Sequence, residues 1–279
     1  MRIACVVLLS VLGAEIHAAA PEPLKIMSFN IRYGTANDGE DRWEARRGQL
    51  FELIKVQDPD VIGLQEALHF QIDEILAAVP GYRMIGVGRT DGGQGGEYAA
   101  ILYRDLRLSV RRASTFWLSD TPEVVKSNTW AAALERICTW ALFDDKLGTP
   151  FYLYNLHLDH VSQPAREKSV ALLLNRIGER TPMLPVVVTG DFNTGESNPG
   201  TRAMLSRFRD TFRVLHPGAT EIGTTNQFKL GSTTGDKIDY IFVEPATEVL
   251  SADIVRTAVN GRYPSDHFPV VARIRLRNP

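Results

Sequence analysis

Apolar and polar positions alternate over residues 24–33, a period of two that predicts a half-buried strand. Over 42–56 the spacing turns helical, with Leu50, Leu53 and Ile54 on one face, and Asp58-Pro59-Asp60 ends it. A short apolar run at 61–64 predicts a buried strand, and 70–79 a second helix closed by Pro80-Gly81. Strands are expected next at 82–87, 99–103 and 108–115, with a loop at the glycine cluster 91–96. That cluster is not a phosphate-binding glycine motif, because no helix follows at the required spacing. Residues 116–133 read as irregular, 137–143 and 151–158 as strands, 163–179 as a helix, and 186–189, 238–243 and 270–276 as strands. Strand–helix–strand–helix, then a run of strands, then helix and strands again fits two sheets packed face to face with helices outside.

No repeat or linker divides this pattern, and 279 residues with 44% apolar content suit one α/β domain. The N-terminus is the exception. Arg2, the apolar run 3–13, Ala18-Ala19-Ala20 and Pro21 have the layout of a secretory signal, so residues 1–20 are expected to be removed. The expected mature domain is 21–279, secreted or periplasmic. The run is too short for a permanent bilayer-spanning helix, and no Cys near the cleavage point offers a lipid anchor. Cleavage also removes Cys5 and leaves Cys138 alone, which excludes an intramolecular disulfide. Its apolar neighbours predict a buried structural thiol.

The formal charge is −2, without a long basic run, which argues against a protein that grips long nucleic acid by its backbone. A nuclease stays open, since a bound cation can supply positive charge at the site.

Polar residues collect where apolar strands end, the usual place for a site in an α/β sheet. Asn30 follows Ile26-Met27-Ser28-Phe29, Glu66 follows Val61-Ile62-Gly63-Leu64-Gln65, and Asp191 follows Val186-Val187-Val188-Thr189-Gly190. Glu66 is a hard-cation ligand candidate. Asp191 and Asn193, two apart, can face one side, one acting on a water and the other donating to a phosphoryl oxygen. Asn155, His157 and Asp159 share one face of an alternating strand, and Asn155 and His157 both suit phosphate, while His160 lies at the strand's end. Asp239, inside an apolar strand, needs a partner, and His267 of Ser265-Asp266-His267 can serve, with Asp266 facing a metal. There is no Gly-x-Ser-x-Gly elbow, Cys pair or His-Glu-x-x-His, which argues against serine hydrolases and zinc sites of those kinds.

Together, Ser28-Phe29-Asn30, Leu64-Gln65-Glu66, Asn155-Leu156-His157, Gly190-Asp191-Phe192-Asn193, Ile238-Asp239-Tyr240 and Ser265-Asp266-His267 resemble the endonuclease/exonuclease/phosphatase superfamily, with its deoxyribonuclease-I-like fold. The motifs fall in the family's order across nearly all of 21–279. The resemblance implies a four-layer αββα sandwich of two mainly antiparallel sheets, and phosphoester hydrolysis with Mg²⁺ or Mn²⁺. It implies Glu66 as main metal ligand with Asn30 nearby and Asp266 as a further metal-site carboxylate. It implies Asp191 for the attacking water, His157 and Asn193 for phosphate, and Asp239 with His267 as a carboxylate–histidine pair. Glu97, after the glycine loop, resembles an acidic residue that supports the His157 position in some members. One departure is Arg32, where some repair endonucleases carry Asp; a contact to substrate phosphate is expected instead.

The superfamily's substrates include DNA, RNA, phosphoinositides, sphingomyelin and small phosphate esters, so fold leaves substrate open. The charge favours a small or exposed phosphoester, with extracellular nucleic acid as the alternative, and the chain is expected to act as a monomer. Trp117 and Trp130, before Arg136, either wall a pocket and stack on a base or sugar, or cover the core. A non-catalytic binding module on the same fold is the reading from another class, and the filled polar positions argue against it.

Overall fold

The computed structural model describes residues 21–277. The expected signal segment lies outside the described residues. In chain order the elements are β1 (Leu24–Asn30), α1 (Trp43–Gln57), β2 (Val61–Gln65), α2 (His69–Ala78), β3 (Tyr82–Ile85), β4 (Ile101–Arg104), β5 (Leu108–Trp117), β6 (Ile137–Asp145) and β7 (Phe151–His157). There follow α3 (Gln163–Gly178), β8 (Val186–Asp191), α4 (Pro199–Leu205), β9 (Arg209–Asp210), α5 (Thr211–Leu215), β10 (Asp239–Val243), β11 (Glu248–Ile254) and β12 (Val270–Arg275).

The strands form two six-stranded sheets, ordered β11-β12-β1-β2-β4-β3 and β5-β6-β7-β8-β10-β9. Each sheet holds one parallel pair at its centre, β1 with β2 and β7 with β8, and is otherwise antiparallel. A parallel pair needs a crossover, which α1 and α3 supply.

Period-two alternation builds three apolar layers. Leu24, Ile26, Val61, Phe151, Leu153, Val187 and Ile241 point between the sheets. Met27, Phe29, Ile62 and Leu64 point outward under α1 and α2. Tyr152, Tyr154, Leu156, Val186, Val188 and Phe242 point outward on the second sheet under α3 and α4. The expected face-to-face sheets with outer helices are therefore present.

The inner faces become polar toward one end. β1 runs Leu24, Ile26, Ser28, Asn30; β7 runs Phe151, Leu153, Asn155, His157; β8 runs Val187, Thr189, Asp191. Register then aligns His157 with Asp191 across β7–β8, and Asp191 with Asp239 across β8–β10. The sheets come close at Gly63, where a Cβ would collide with Thr189 Oγ1 and the Asn155 amide.

Some local expectations change. β5 extends to Trp117, through a bulge between Val110 and Arg112, so the irregular stretch begins later than residue 116. The edge strand β11 escaped the pattern because it is half-exposed and a bulge between Val249 and Ser251 breaks its alternation. The short α4, α5 and β9 have too few turns or rungs to show a period. Among the described residues no helix is long and apolar enough to cross a membrane.

Candidate active site

Where the inner faces turn polar, a cavity of about 370 Å³ opens. From loops of the first sheet it is lined by Arg32, Tyr33, Glu66, Glu97, Asp266 and His267. The second sheet contributes Arg136, His157, His160, Asp191 and Asn193. Arg32, Glu66 and Asn193 sit in the left-handed backbone region, with φ of 57°, 61° and 50°. Such a conformation costs a non-glycine residue about 1–3 kcal/mol and concentrates at functional sites.

Asn30 joins the two sheets. Its Nδ2 donates to Glu66 Oε1 at 3.0 Å and to Asp191 Oδ2 at 2.9 Å, and its Oδ1 accepts the Arg32 N–H at 3.0 Å. The expected place of Asn30 beside the metal-site carboxylate is what this geometry gives. Asn30 fixes Glu66, whose Oε2 accepts the Tyr33 N–H at 3.1 Å.

Asp191 is 1% exposed, and its Oδ1 accepts the Asn193 N–H at 2.8 Å. Burial, then the nearby Asp239 charge, pushes its carboxyl well above the usual carboxylate range. Asp239 Oδ2 accepts from His267 Nδ1 at 3.0 Å. Burial opposes charge on His267, but Asp239 and then Asp191 override it and hold the imidazole well above its ordinary pKa. The expected carboxylate–histidine pair is present, and it leaves His267 Nε2 for the cavity the ring lines.

His157, which is buried, goes the other way. Burial, then the Arg136 charge, drives its pKa well below the ordinary value. The Asn193 amide explains its tautomer. Nδ2 donates to the Leu158 carbonyl at 2.9 Å and reaches His157 Nε2 at 2.8 Å, so Nε2 accepts and the proton sits on Nδ1.

The remaining candidates divide. Arg136 lines the cavity, reaching His160 Nδ1 at 2.8 Å and Asp159 at 3.7 Å. His160 therefore belongs to the site although it lies beyond its strand. Arg32 lines the cavity but is held by Asp38 at 3.0 Å, with Asp266 at 3.8 Å. Glu97 lines it too, yet its carboxylate is taken by Arg89 through two bonds of 2.9 Å, and it makes no hydrogen bond to His157. Asn155 is corrected: it lies fully buried between the sheets, donating to the Leu64 and Ala100 carbonyls and accepting from Gln65 and Thr189. Trp117 is corrected as well, being 4% exposed and spending its indole N–H on the Arg89 carbonyl. Trp130 is half-buried and bonds Asp120.

Arg46 went unnoticed in the sequence. It is buried and donates to the carbonyls of Ile31, Arg32 and Pro264, tying the loop after β1 to the loop before β12. The available signal was an arginine on the apolar face of α1, one turn before Leu50. Lys237 is similar: wholly buried, it pairs with Asp210 at 3.0 Å and donates to the Asp239 carbonyl.

Two groupings are candidates for a cation. Asp191, Asp239 and His267 place ligand atoms within 4.8 Å of one another. There the His267 proton already bridges to Asp239, which occupies the space between them. Glu66 and Asp266 line the cavity itself, and burial, with Glu66 contributing, raises the Asp266 carboxyl. Two carboxylates lining one cavity are the hard oxygen donors a divalent cation needs.

A cavity at the polar end of two packed sheets, holding a strand-end carboxylate, a charged histidine, a neutral histidine and hard oxygen donors, defines a phosphoester hydrolase. The chain belongs to the endonuclease/exonuclease/phosphatase family, whose model matches residues 27–267. That family comprises phosphoesterases and nucleases that generally depend on a divalent metal. A family protein of Bacteroides thetaiotaomicron is 34% identical, covers 92% of this chain and 98% of its own, and superposes with a TM-score of 0.85. The mannosyl-6-phosphatase of the same organism is also 34% identical, covering 90% and 99%, with a TM-score of 0.84. The human Nocturnin catalytic domain, at 21% identity, 92% and 94% coverage and a TM-score of 0.74, shares the fold.

Proposed function

We propose that this chain hydrolyses a small phosphoester, with Mg²⁺ or Mn²⁺ held by Glu66 and Asp266. The observation that carries the reading is the 370 Å³ cavity, a size suited to a small ligand. A relative of 34% identity is a mannosyl-6-phosphatase, which favours a sugar phosphate over a polymer. The leader-like residues 1–20 favour action outside the cytoplasm, and we infer a monomer.

Asp191 is the group for the attacking water, since burial beside Asp239 raises its proton affinity toward that of a general base. The His267 imidazolium holds a phosphoryl oxygen as charge grows on it, and the Asn193 amide does so once one of its N–H groups leaves His157 Nε2 for the substrate. Neutral His157 sets the Asn193 amide. When bound, a divalent cation supplies charge neutralisation at the phosphoryl and leaving oxygens. The test is hydrolysis of a panel by purified protein with Mg²⁺, Mn²⁺, Ca²⁺ or EDTA. The panel holds sugar phosphates, p-nitrophenyl phosphate, bis-p-nitrophenyl phosphate, sphingomyelin, RNA and plasmid DNA. Metal-dependent turnover of sugar phosphates above the others is expected. Preferred cleavage of RNA or plasmid would replace this reading with that of an extracellular nuclease.

A further inference from the structure

The catalytic cavity holds a positive charge that the chemistry proposed above does not use. β6 begins at Ile137 beside the end of β7 at His157, so Arg136, just before β6, meets His160, just beyond β7. Both line the cavity. Arg136 is 4% exposed, and its Nε and Nη1 have no hydrogen-bond partner among the described residues. Its Nη2 reaches His160 Nδ1 at 2.8 Å. A guanidinium only donates, so Nδ1 accepts and the His160 proton sits on Nε2. His160 is exposed, and among the described residues that Nε2–H has no acceptor.

The other cationic side chains of the cavity each have a carboxylate at hydrogen-bond distance. Arg32 pairs with Asp38 at 3.0 Å, and His267 with Asp239 at 3.0 Å. Arg136 has none. Asp159 comes only to 3.7 Å from Nε, and it gives its oxygens to the N–H groups of Ala133, Leu134, Val161 and Ser162. A buried guanidinium with open donors is costly unless something completes it, and an oxyanion is the ligand that suits it. Arg136 also borders His157 in a small void behind the cavity, and His157 holds the Asn193 amide. One side chain therefore separates the guanidinium from a phosphoryl donor.

Phosphate esters differ in the charge such a group would meet. A diester carries one negative charge, whereas a monoester carries two above its second pKa of about 6. We propose, resting on the phosphoester reading of this cavity, that Arg136 and His160 set a preference for phosphate monoesters over diesters. His160 Nε2–H reaches a phosphoryl oxygen. Arg136 polarises that imidazole through Nδ1 and balances the second negative charge.

The test compares p-nitrophenyl phosphate with bis-p-nitrophenyl phosphate, which share a leaving group, with Mg²⁺ at about pH 8, where the monoester is dianionic. Wild type is expected to favour the monoester in kcat/KM. Arg136→Gln should lower the monoester value at least about tenfold more than the diester value, and His160→Gln severalfold more. Arg136→Lys keeps the charge and should recover part of the preference. In parallel, calorimetry with Mg²⁺ compares inorganic phosphate with dimethyl phosphate. Wild type is expected to bind phosphate more tightly, and Arg136→Gln and His160→Gln to lose that margin. If Arg136→Gln does not fold, His160→Gln, at an exposed position, decides. Equal losses on both esters, or a wild-type preference for the diester, would overturn the proposal and leave the phosphoester reading standing. Turnover of neither ester, with phosphate bound through Arg136, would overturn the hydrolase reading and keep the anion site. Phosphate binding indifferent to both variants, without turnover, would overturn both.

Discussion

The two sheets are built alike and equipped differently. Each has one parallel pair at its centre, and each pair ends at the cavity. The first sheet's loops bring carboxylates: Glu66, Asp266 and Glu97. Those of the second bring Arg136, His157, His160 and Asn193, with Asp191 between the two sets. On the proposed reading the first sheet's loops hold the cation and the second sheet's hold phosphoryl oxygens, with His267 reaching across from the first sheet. The histidines sharpen the contrast. His157 is buried and His267 nearly so, yet one is held neutral beside Arg136 and the other charged beside Asp239. Burial presses both toward the neutral form, and neighbouring charge reinforces it at His157 and overrides it at His267.

The division of labour breaks most severely at the seam. Asp191→Asn and His267→Gln are each expected to lower kcat by about 10³–10⁴-fold, with an unchanged circular dichroism spectrum. Near-normal turnover in both would remove the seam from the chemistry. On the phosphoryl half, Asn193→Ala should cost about 10²–10³-fold in kcat, the usual effect of deleting one oxyanion donor. On the cation half, Glu66→Gln should raise the Mg²⁺ concentration for half-activation by about 10–100-fold. An unmoved midpoint would put the cation with Asp191, Asp239 and His267 instead.

The neutral histidine makes a stability prediction. His157 has a folded pKa below its unfolded value of about 6.5, so the unfolded chain binds the extra proton as pH falls. Its contribution is complete above that pH and is lost below it, at about 1.4 kcal/mol per pH unit until the folded value is reached. Asp191, whose raised carboxyl binds its proton in the folded state over the same range, opposes this slope, so the readout is the difference: in denaturant melts between pH 7 and 5, stability should fall more steeply with falling pH in wild type than in His157→Gln, by about 1.4 kcal/mol per pH unit. Equal slopes would mean that His157 is not held neutral.

The sequence exposed the strand-end chemistry because an apolar run followed by a polar residue is a local signal. Asn30, Glu66, Asp191 and Asp239 each announce themselves that way. Facing across the sandwich is not local. Asn155 and His157 sit on the same face of β7, yet one is wedged between the sheets opposite Gly63 while the other reaches the cavity. Alternation identifies the shared face and says nothing about how far along it the second sheet extends. Arg46 and His160 were obscured for a related reason, since their partners come from loops distant in sequence or off the strand's period.

Trp117 is where this distance effect gives its smallest measurable consequence. The indole was a candidate for stacking on substrate, but its N–H instead fixes the Arg89 carbonyl, and Arg89 in turn holds Glu97. Trp117→Phe keeps the ring in the core and deletes that one hydrogen bond. Stability should fall by about 1 kcal/mol, the net value of one such bond plus a small packing change. Both kcat and KM should stay within about twofold of wild type, because a shift of that size leaves less than 0.6 kcal/mol in either constant. A selective rise in KM would return Trp117 to the pocket wall. An unchanged KM with a modest loss of stability would leave substrate contact to the cavity-lining side chains, divided between the sheets.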